Sequence, residues 1–363
     1  MELMIFSEAL DFIGLIDEFS SLQWTRRYSV GGEFELHCSL TPANLALLAR
    51  GNIIWRKDDV EAGFIEYRQM DQDNTGAETL TIKGKFISAY LNRRIIWGEE
   101  LLNSTAENAI RTLITKHSIS PLDADRIIPN LILGATGGFL QAVNYQTSYA
   151  SLLDEVENLC ALSELGYRCR LDAANKKLIF EVYEGLDRTQ GQSINQRAIF
   201  SKRFENVLSQ SYTDSLNNYR NTVLVGGMGI GAARKLVTIT STTGLQRFEL
   251  WDDAKDLTNV VNEVTLTDPE YTATLLDRGN SKLAETKEIQ TFDSVVNLNS
   301  NLVYKESFDL GDMVCCTSKD WGLTINSRIT EIKEVYEEKG KSINITFGNN
   351  IPTLLSIIKA KLK

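Results

Sequence analysis

The stretch GGEFELHCSLTPANLALLARGNIIW, Gly31 to Trp55, decides between two readings of the chain. It sets His37, one of only two histidines, beside Cys38, one of five cysteines. As a reactive pair they would point to nucleophilic or metal chemistry. On a strand they cannot cooperate, because successive side chains point to opposite faces. The letters favour the strand: Phe34, Leu36, Cys38 and Leu40 alternate with Glu33, Glu35, His37 and Ser39. Cys38 is then a small core residue, and Glu33, Glu35 and His37 form a polar stripe. Pro42 next opens a short helical turn, PANLALLARG, with Gly51 as its stop.

Working outward, the first hundred residues are strand-rich. ELMIFSEA, IGLIDEF, SLQWTRRYS, EFELHCSL, NIIWRKD, AGFIEYRQM and ETLTIKGKF are parted by Gly, Asp and Asn turns. This spacing predicts a closed or sandwich-like β unit. Beyond residue 100 the character changes. Ser104 and Glu107 make a capping-box pair ahead of TAENAIRTLITKH, where Ala106, Ile110, Leu113, Ile114 and His117 share one helical face. Pro129 makes RIIPNLIL an edge or bulged strand. Tyr149, Leu152, Leu153, Val156, Leu159 and Cys160 predict a second amphipathic helix, ended by Gly166 and followed by the hairpin GYRCRLDAANKKLIFEVYEG. From about Phe204 strands return. One helix interrupts them near Asp268-Pro269, with Tyr271, Leu275, Leu276 and Leu283 on its buried side. The last strands include LTINSRITEIKEVYEE and KSINITFG, and the sequence closes on IPTLLSIIKAKLK, a short basic helix.

Composition narrows the function. The 363 residues carry a formal net charge of -10, against a protein that grips nucleic-acid phosphates. The pairs Arg26-Arg27 and Arg93-Arg94 read as solvated or paired at strand and helix ends. Cys38, Cys160, Cys169, Cys315 and Cys316 show no CxxC spacing and read as reduced thiols of a cytosol-made protein. MELMIFSEALDF lacks the basic start of a signal peptide, and no apolar run reaches the length of a membrane span.

Chemistry is sought and mostly not found. Gly227, Gly229 and Ala232 satisfy GxGxxA, but KLVTITSTTG follows, which is strand-like where a phosphate-holding helix is required. A glycine-rich loop between strands fits better. Asp71, Asp73 and Gly76 stand at EF-hand offsets, but Ile82 holds the position of the bidentate Glu, leaving a hairpin loop with weak ion binding as the open alternative. His117 falls at a helix end, where the dipole favours a cation. No GxSxG, HExxH or HxH motif is present, so no catalytic, cofactor or metal residues are assigned.

The run GGEFELHCSLTPANLALLARGNIIWRKDDVEAGFIEYRQMD followed by LTIKGKFISAYLNRRIIW resembles the N-terminal domain of tail-hub proteins of long-tailed bacteriophages, including prophages of Gram-positive bacteria. SFDLGDMVCC and RITEIKEVYEEKGKSINITFG are similar to the last β-barrel of those hubs. The resemblance implies an α+β, β-rich fold with two tube-like β-barrel domains. The expected division is 1–100 for the first barrel, 101–203 for an α+β insert, 204–350 for the second barrel with a helix near 268–287, and 351–363 for a C-terminal helix. Exchange of segments between the barrels stays open. The resemblance further implies a homotrimer forming a pseudo-sixfold ring at the distal end of the virion tail, between the tail tube or distal tail ring and a tip or fibre protein, with DNA passing through unbound. In such a ring Glu33, Glu35 and His37 are candidates for the channel wall or a subunit interface. The alternatives are a tail-tip cell-wall hydrolase and a receptor- or carbohydrate-binding β module.

Overall fold

A computed structural model describes residues 1–348, so the expected helix at 351–363 lies outside the described residues. The fold is α+β and rich in strands. The N-terminal group comprises β1 (Leu3–Phe6), β2 (Phe12–Ile16), β3 (Ser21–Arg27), β4 (Glu33–Ser39), α1 (Pro42–Leu47), β5 (Ile53–Arg56), β6 (Ala62–Gln72) and β7 (Glu78–Phe86). Alternation builds its core: Phe34, Leu36 and Cys38 of β4 meet Leu22, Trp24, Leu80 and Ile82 in one buried cluster. Phe34 is held close because Gly63 and Gly84 leave its ring room; a Cβ on either would lie 2.4–2.6 Å from it.

The next segment holds β8 (Glu99–Thr105), α2 (Ala106–Ile114), β9 (Leu131–Leu133), β10 (Ala142–Ser148), α3 (Leu152–Ser163), β11 (Gly166–Asp172) and β12 (Lys177–Tyr183). The expected elements form, with shifted ends. Helix α2 is capped by Thr105, whose Oγ1 accepts from Asn108 N–H at 3.3 Å, and Ser104 lies one residue earlier in the ladder, opposite Val143. Glu107 therefore closes no capping box. Its buried carboxylate accepts instead from the N–H groups of Gly137, Gly138 and Phe139, at 2.6, 2.9 and 3.2 Å. Tyr149 is exposed and precedes α3, which Ser151 caps. That helix stops at left-handed Glu164, not at Gly166. Gly166 opens β11, and a Cβ there would meet the Tyr28 ring at 2.3 Å.

The C-terminal part begins with β13 (Ile199–Phe200) and β14 (Val207–Ser215). A small unit follows: β15 (Thr222–Gly226), β16 (Leu236–Thr240), β17 (Glu249–Asp253), β18 (Val260–Val261), β19 (Val264–Thr265) and α4 (Asp268–Glu285). Helix α4 covers the β16-β15-β17 sheet, with Tyr271 and Leu275 buried as expected. Leu276 is 36% exposed, which places it at the helix margin. The chain then runs through β20 (Ile289–Val296), β21 (Met313–Ser318), β22 (Leu323–Glu337) and β23 (Gly340–Gly348).

The topology joins both ends of the described chain. The main sheet has the path β14-β20-β23-β22-β3-β4-β7-β6-β5-β1-β2, antiparallel at every step. Its centre is the pairing of β3 with β22, in register from Arg27↔Glu331 to Ser21↔Glu337. β22 is long enough, at 15 residues, to pair with β21 by its first part and with β3 by its last.

Candidate functional site

The run from β6 to β14 carries one polar face. Because side chains alternate on each strand, antiparallel register brings like faces into cross-sheet rows. One row is Gln69, Thr81, His37, Ser21 and Glu337. Another is Lys85, Glu33, Thr25, Lys333 and Asn344. A third is Arg27, Glu331, Thr346, Asp293 and Ser211. Glu35 stands between Lys83 and Gln23. Val335 and Val295 are the apolar exceptions where the rows cross β22 and β20.

Glu33, Glu35 and His37 all lie on this face, as their alternation requires. His37 Nε2 is 2.8 Å from Glu35 Oε1, and Lys83 Nζ is 2.9 Å from Glu35 Oε2. His37 Nδ1 faces Thr81 Oγ1 at 3.2 Å. Partial desolvation would raise the Glu35 carboxyl, but hydrogen bonds from Lys83 and His37 outweigh it and hold the group below its usual range. Arg27 bridges Glu33 at 2.6 Å and Glu331 at 2.7 Å, tying β3 to β4 and β22. Between these groups lies a shallow depression of about 340 Å³, lined by Gln23, Glu33, Glu35, Tyr67, Lys83 and Lys333 among others. A second, of about 290 Å³, lies over β14, β20 and β23 and is lined by Ser209, Ser211, Asp293, Asn344 and Thr346. The N-terminal half of the face is thus charged, with ion pairs at Glu35 and Arg27, and the C-terminal half presents hydroxyls and amides around Asp293.

Beneath the face two buried arginines lock the halves together. The Arg56 side chain is fully buried and donates to both carboxylate oxygens of Glu334, each at 3.1 Å. It also donates to Tyr336 Oη at 2.8 Å and to Asp58 at 2.6 Å, and lies over the Trp24 ring. Lys341 completes the Glu334 site at 2.7 Å. Burial opposes the Glu334 charge, but Arg56 and Lys341 outweigh it and lower the carboxyl to about 2. Arg26 donates to Asp309 at 2.8 Å and Tyr304 at 3.0 Å, with Glu61 at 3.4 Å. Burial pushes the Glu61 carboxyl up to about 7 despite Arg26. Arg26, expected to be solvated or paired at a strand end, is paired near the end of β3 and is buried there. The signal was present: Leu22, Trp24 and Arg26 share a strand face, as do Ile54 and Arg56, and Ile332 and Glu334.

The residues weighed for chemistry do not converge. Gly227 and Gly229 lie in the turn between antiparallel β15 and β16, with Gly229 at φ +99 against the Ala233 carbonyl. Asp73 Oδ1 accepts from Thr75 N–H, Thr75 Oγ1 and Ala77 N–H within its own hairpin, while Asp71 accepts from Gln69. His117 is buried in a wider turn after α2, 3.3 Å from Glu100. All five cysteines are buried and unbridged. Among the described residues no His, Cys, Asp and Glu cluster is placed to hold a metal ion, and no helix is long and apolar enough to cross a membrane.

This architecture is the fold of prophage tail proteins. A 43 kDa tail protein of prophage MuSo2 from Shewanella oneidensis superposes with a TM-score of 0.55 at 14% identity, covering 96% of this chain and 98% of that one. A tail protein from Neisseria meningitidis MC58 gives 0.56 at 10% identity, covering 96% of each chain. Prophage tail protein gp18 from Listeria monocytogenes EGD-e gives 0.55 at 15% identity, covering 100% of this chain and 98% of that one. No curated protein matches by sequence. The chain belongs to the family of Siphovirus ReqiPepy6 Gp37-like proteins, whose model matches residues 2–349.

Proposed function

We propose that the protein is the tail hub itself, a homotrimer closing a ring at the distal end of the tail tube. Each chain contributes an N-terminal and a C-terminal strand group, so three copies give a pseudo-sixfold ring that joins a hexameric tube to a trimeric tip or fibre. The observation that carries this reading is the largely polar face that runs from β6 to β14 across both groups. Glu33, Glu35 and His37 line the channel in this arrangement. Of its basic residues, Lys83 is engaged by Glu35 and Arg27 by Glu33 and Glu331, which makes both less able to hold passing phosphates. The net charge of -10 adds repulsion over longer range. The protein works through surfaces, without chemistry of its own.

Electron microscopy of the purified chain and of intact tails tests this. A ring of three copies with Glu33 and Glu35 on the lumen is the expected result. A ring with those residues on its outer wall, or no ring in either preparation, would defeat it. Clearing of peptidoglycan abolished by changing a single carboxylate would favour a tail-tip hydrolase instead.

A further inference from the structure

We infer that the patch of arginines and aromatic rings around Trp97 is a docking surface for an acidic, apolar-bearing segment of a different protein. Arg93, Arg94, Arg126, Trp97 and Tyr149 form it. It lies off the polar sheet and does not depend on the ring reading above.

Three segments meet to build the patch. A short 3-10 helix, Ile87–Arg93, ends on the Arg93-Arg94 pair. The chain then runs beside the segment ahead of α3, where Ile96 N–H donates to the Ala150 carbonyl at 2.9 Å and Ile95 stands opposite Ser151. The same register sets Trp97 opposite Tyr149. The turn Ala124–Arg126 is stapled on by its own arginine and by Arg94. Arg94 donates to the carbonyls of Arg126 at 2.5 Å and Ile127 at 3.3 Å, and Arg126 donates to the Ile95 carbonyl. The Arg126 guanidinium lies 4.3 Å from the Trp97 ring centroid. Arg93 is exposed, with its guanidinium 4.3 Å from the Tyr90 ring.

The charge of the patch is not answered from within. Arg94 and Arg126 bond to carbonyls, and among the described residues no carboxylate pairs with either of them or with Arg93. Asp123 is near in sequence, but it accepts from Asp125 N–H and caps its own turn. Burial and the charges of Arg126 and Arg93 all lower the Arg94 guanidinium, as expected for like charges held together without a counter-ion. In a chain of net charge -10 this is a local exception, and it selects carboxylates on the partner.

The apolar surround selects a protein as the bearer of those carboxylates. Trp97 is 53% exposed, Tyr149 68% and Ile95 45%. Trp, Tyr and Arg are the side chains that carry most of the binding energy between proteins. Here they are largely fixed in advance, by the carbonyl bonds and the stacked ring, so little rotamer freedom is lost on binding. Neither depression described above includes these residues, and a small anion favours a cleft. Tyr149 also holds a left-handed backbone at φ +51, a conformation that side chains beyond glycine rarely adopt. An exposed ring there is strain that packing within the chain does not offset.

The test is titration of the full chain with a random Glu–Tyr copolymer at low salt, followed by tryptophan emission. A saturable change that disappears in Trp97→Phe is expected. A change that persists in Trp97→Phe would put the binding elsewhere and overturn the site. Arg93→Glu and Tyr149→Gly should each weaken binding by about tenfold. Glycine accepts the left-handed backbone, so Tyr149→Gly should hold or raise the thermal midpoint while binding falls. Unchanged binding in either variant, or no saturable binding by the parent, overturns the site. Equally tight binding of inorganic polyphosphate would show a plain anion site and overturn the protein occupant. Self-association of the parent chain that these variants abolish would assign the patch to a second copy and overturn it too. None of these results moves the ring in micrographs, so the two readings fail separately.

Discussion

At the scale of the residue, the buried ion pairs govern stability. Glu334→Ala leaves Arg56 with Asp58 as its remaining carboxylate partner, and one half of a buried pair stranded costs about 3–5 kcal/mol. Urea unfolding should show a loss near the lower end of that range. Acid should act in the same place. The Glu334 carboxyl is lowered from 4.5 to about 2 in the folded chain, so its contribution is full above about pH 4.5 and is lost as pH falls toward 2. Glu61 works in the opposite direction. Its folded value is raised from 4.5 to about 7, so the folded state is favoured below pH 4.5 and loses that advantage as pH rises through 7. Glu61→Gln should therefore gain stability relative to the parent as pH rises from 5 to 8; a pH-independent difference would show that Arg26 keeps Glu61 ionised throughout. His37 and Cys38 were separable by period alone, and the structure keeps them on opposite faces. Arg26 is paired at a strand end, one of the two expected outcomes, and only its burial was not expected. Its partners Asp309 and Tyr304 lie some 280 residues away, beyond local pattern.

At the scale of the element, helices were legible and their ends less so. Alternation and the 3.6-residue period located α2, α3 and α4, because burying one face is a property of many residues together. Caps depend on single residues, and here tertiary structure decides. Glu107 is drawn from the cap it could have closed to the amides of Gly137–Phe139, whose N–H groups have no strand or helix partner. Three substitutions separate the two arrangements by thermal unfolding. Thr105→Ala should cost about 1 kcal/mol as a lost cap. Ser104→Ala should stay within about 0.5 kcal/mol. Glu107→Ala should cost about 2–3 kcal/mol, since it orphans hydrogen bonds to a charged acceptor. Equal losses at Ser104 and Glu107 would restore the capping box.

At the scale of the whole molecule, the β3–β22 pairing makes the N-terminal strands depend on the last ones. Without β22, β3 is an open edge and Arg56 loses Glu334. A fragment of residues 1–206 should therefore lack a cooperative calorimetric transition, while the 1–348 chain shows one. Sequence showed two strand groups around a mixed segment. Exchange of segments between the groups was left open, but which strands pair was not legible, because strand pairing across some 300 residues leaves no periodic trace. The polar stripe of Glu33, Glu35 and His37 was visible; that it continues through Thr346 and Asp293 to Ser211 was visible only once register was known.

The same pairing sets a clock on synthesis. β3 emerges early from the ribosome, but its partner residues, Glu331 to Glu337, emerge about 300 residues later. At about 5–20 residues per second, roughly 15–60 s separate the two. Through that interval the nascent chain carries an unpaired strand edge beside an unmatched arginine. The N-terminal strands cannot complete their sheet before β22 has emerged, and an edge exposed for so long is where a host chaperone would have most to guard.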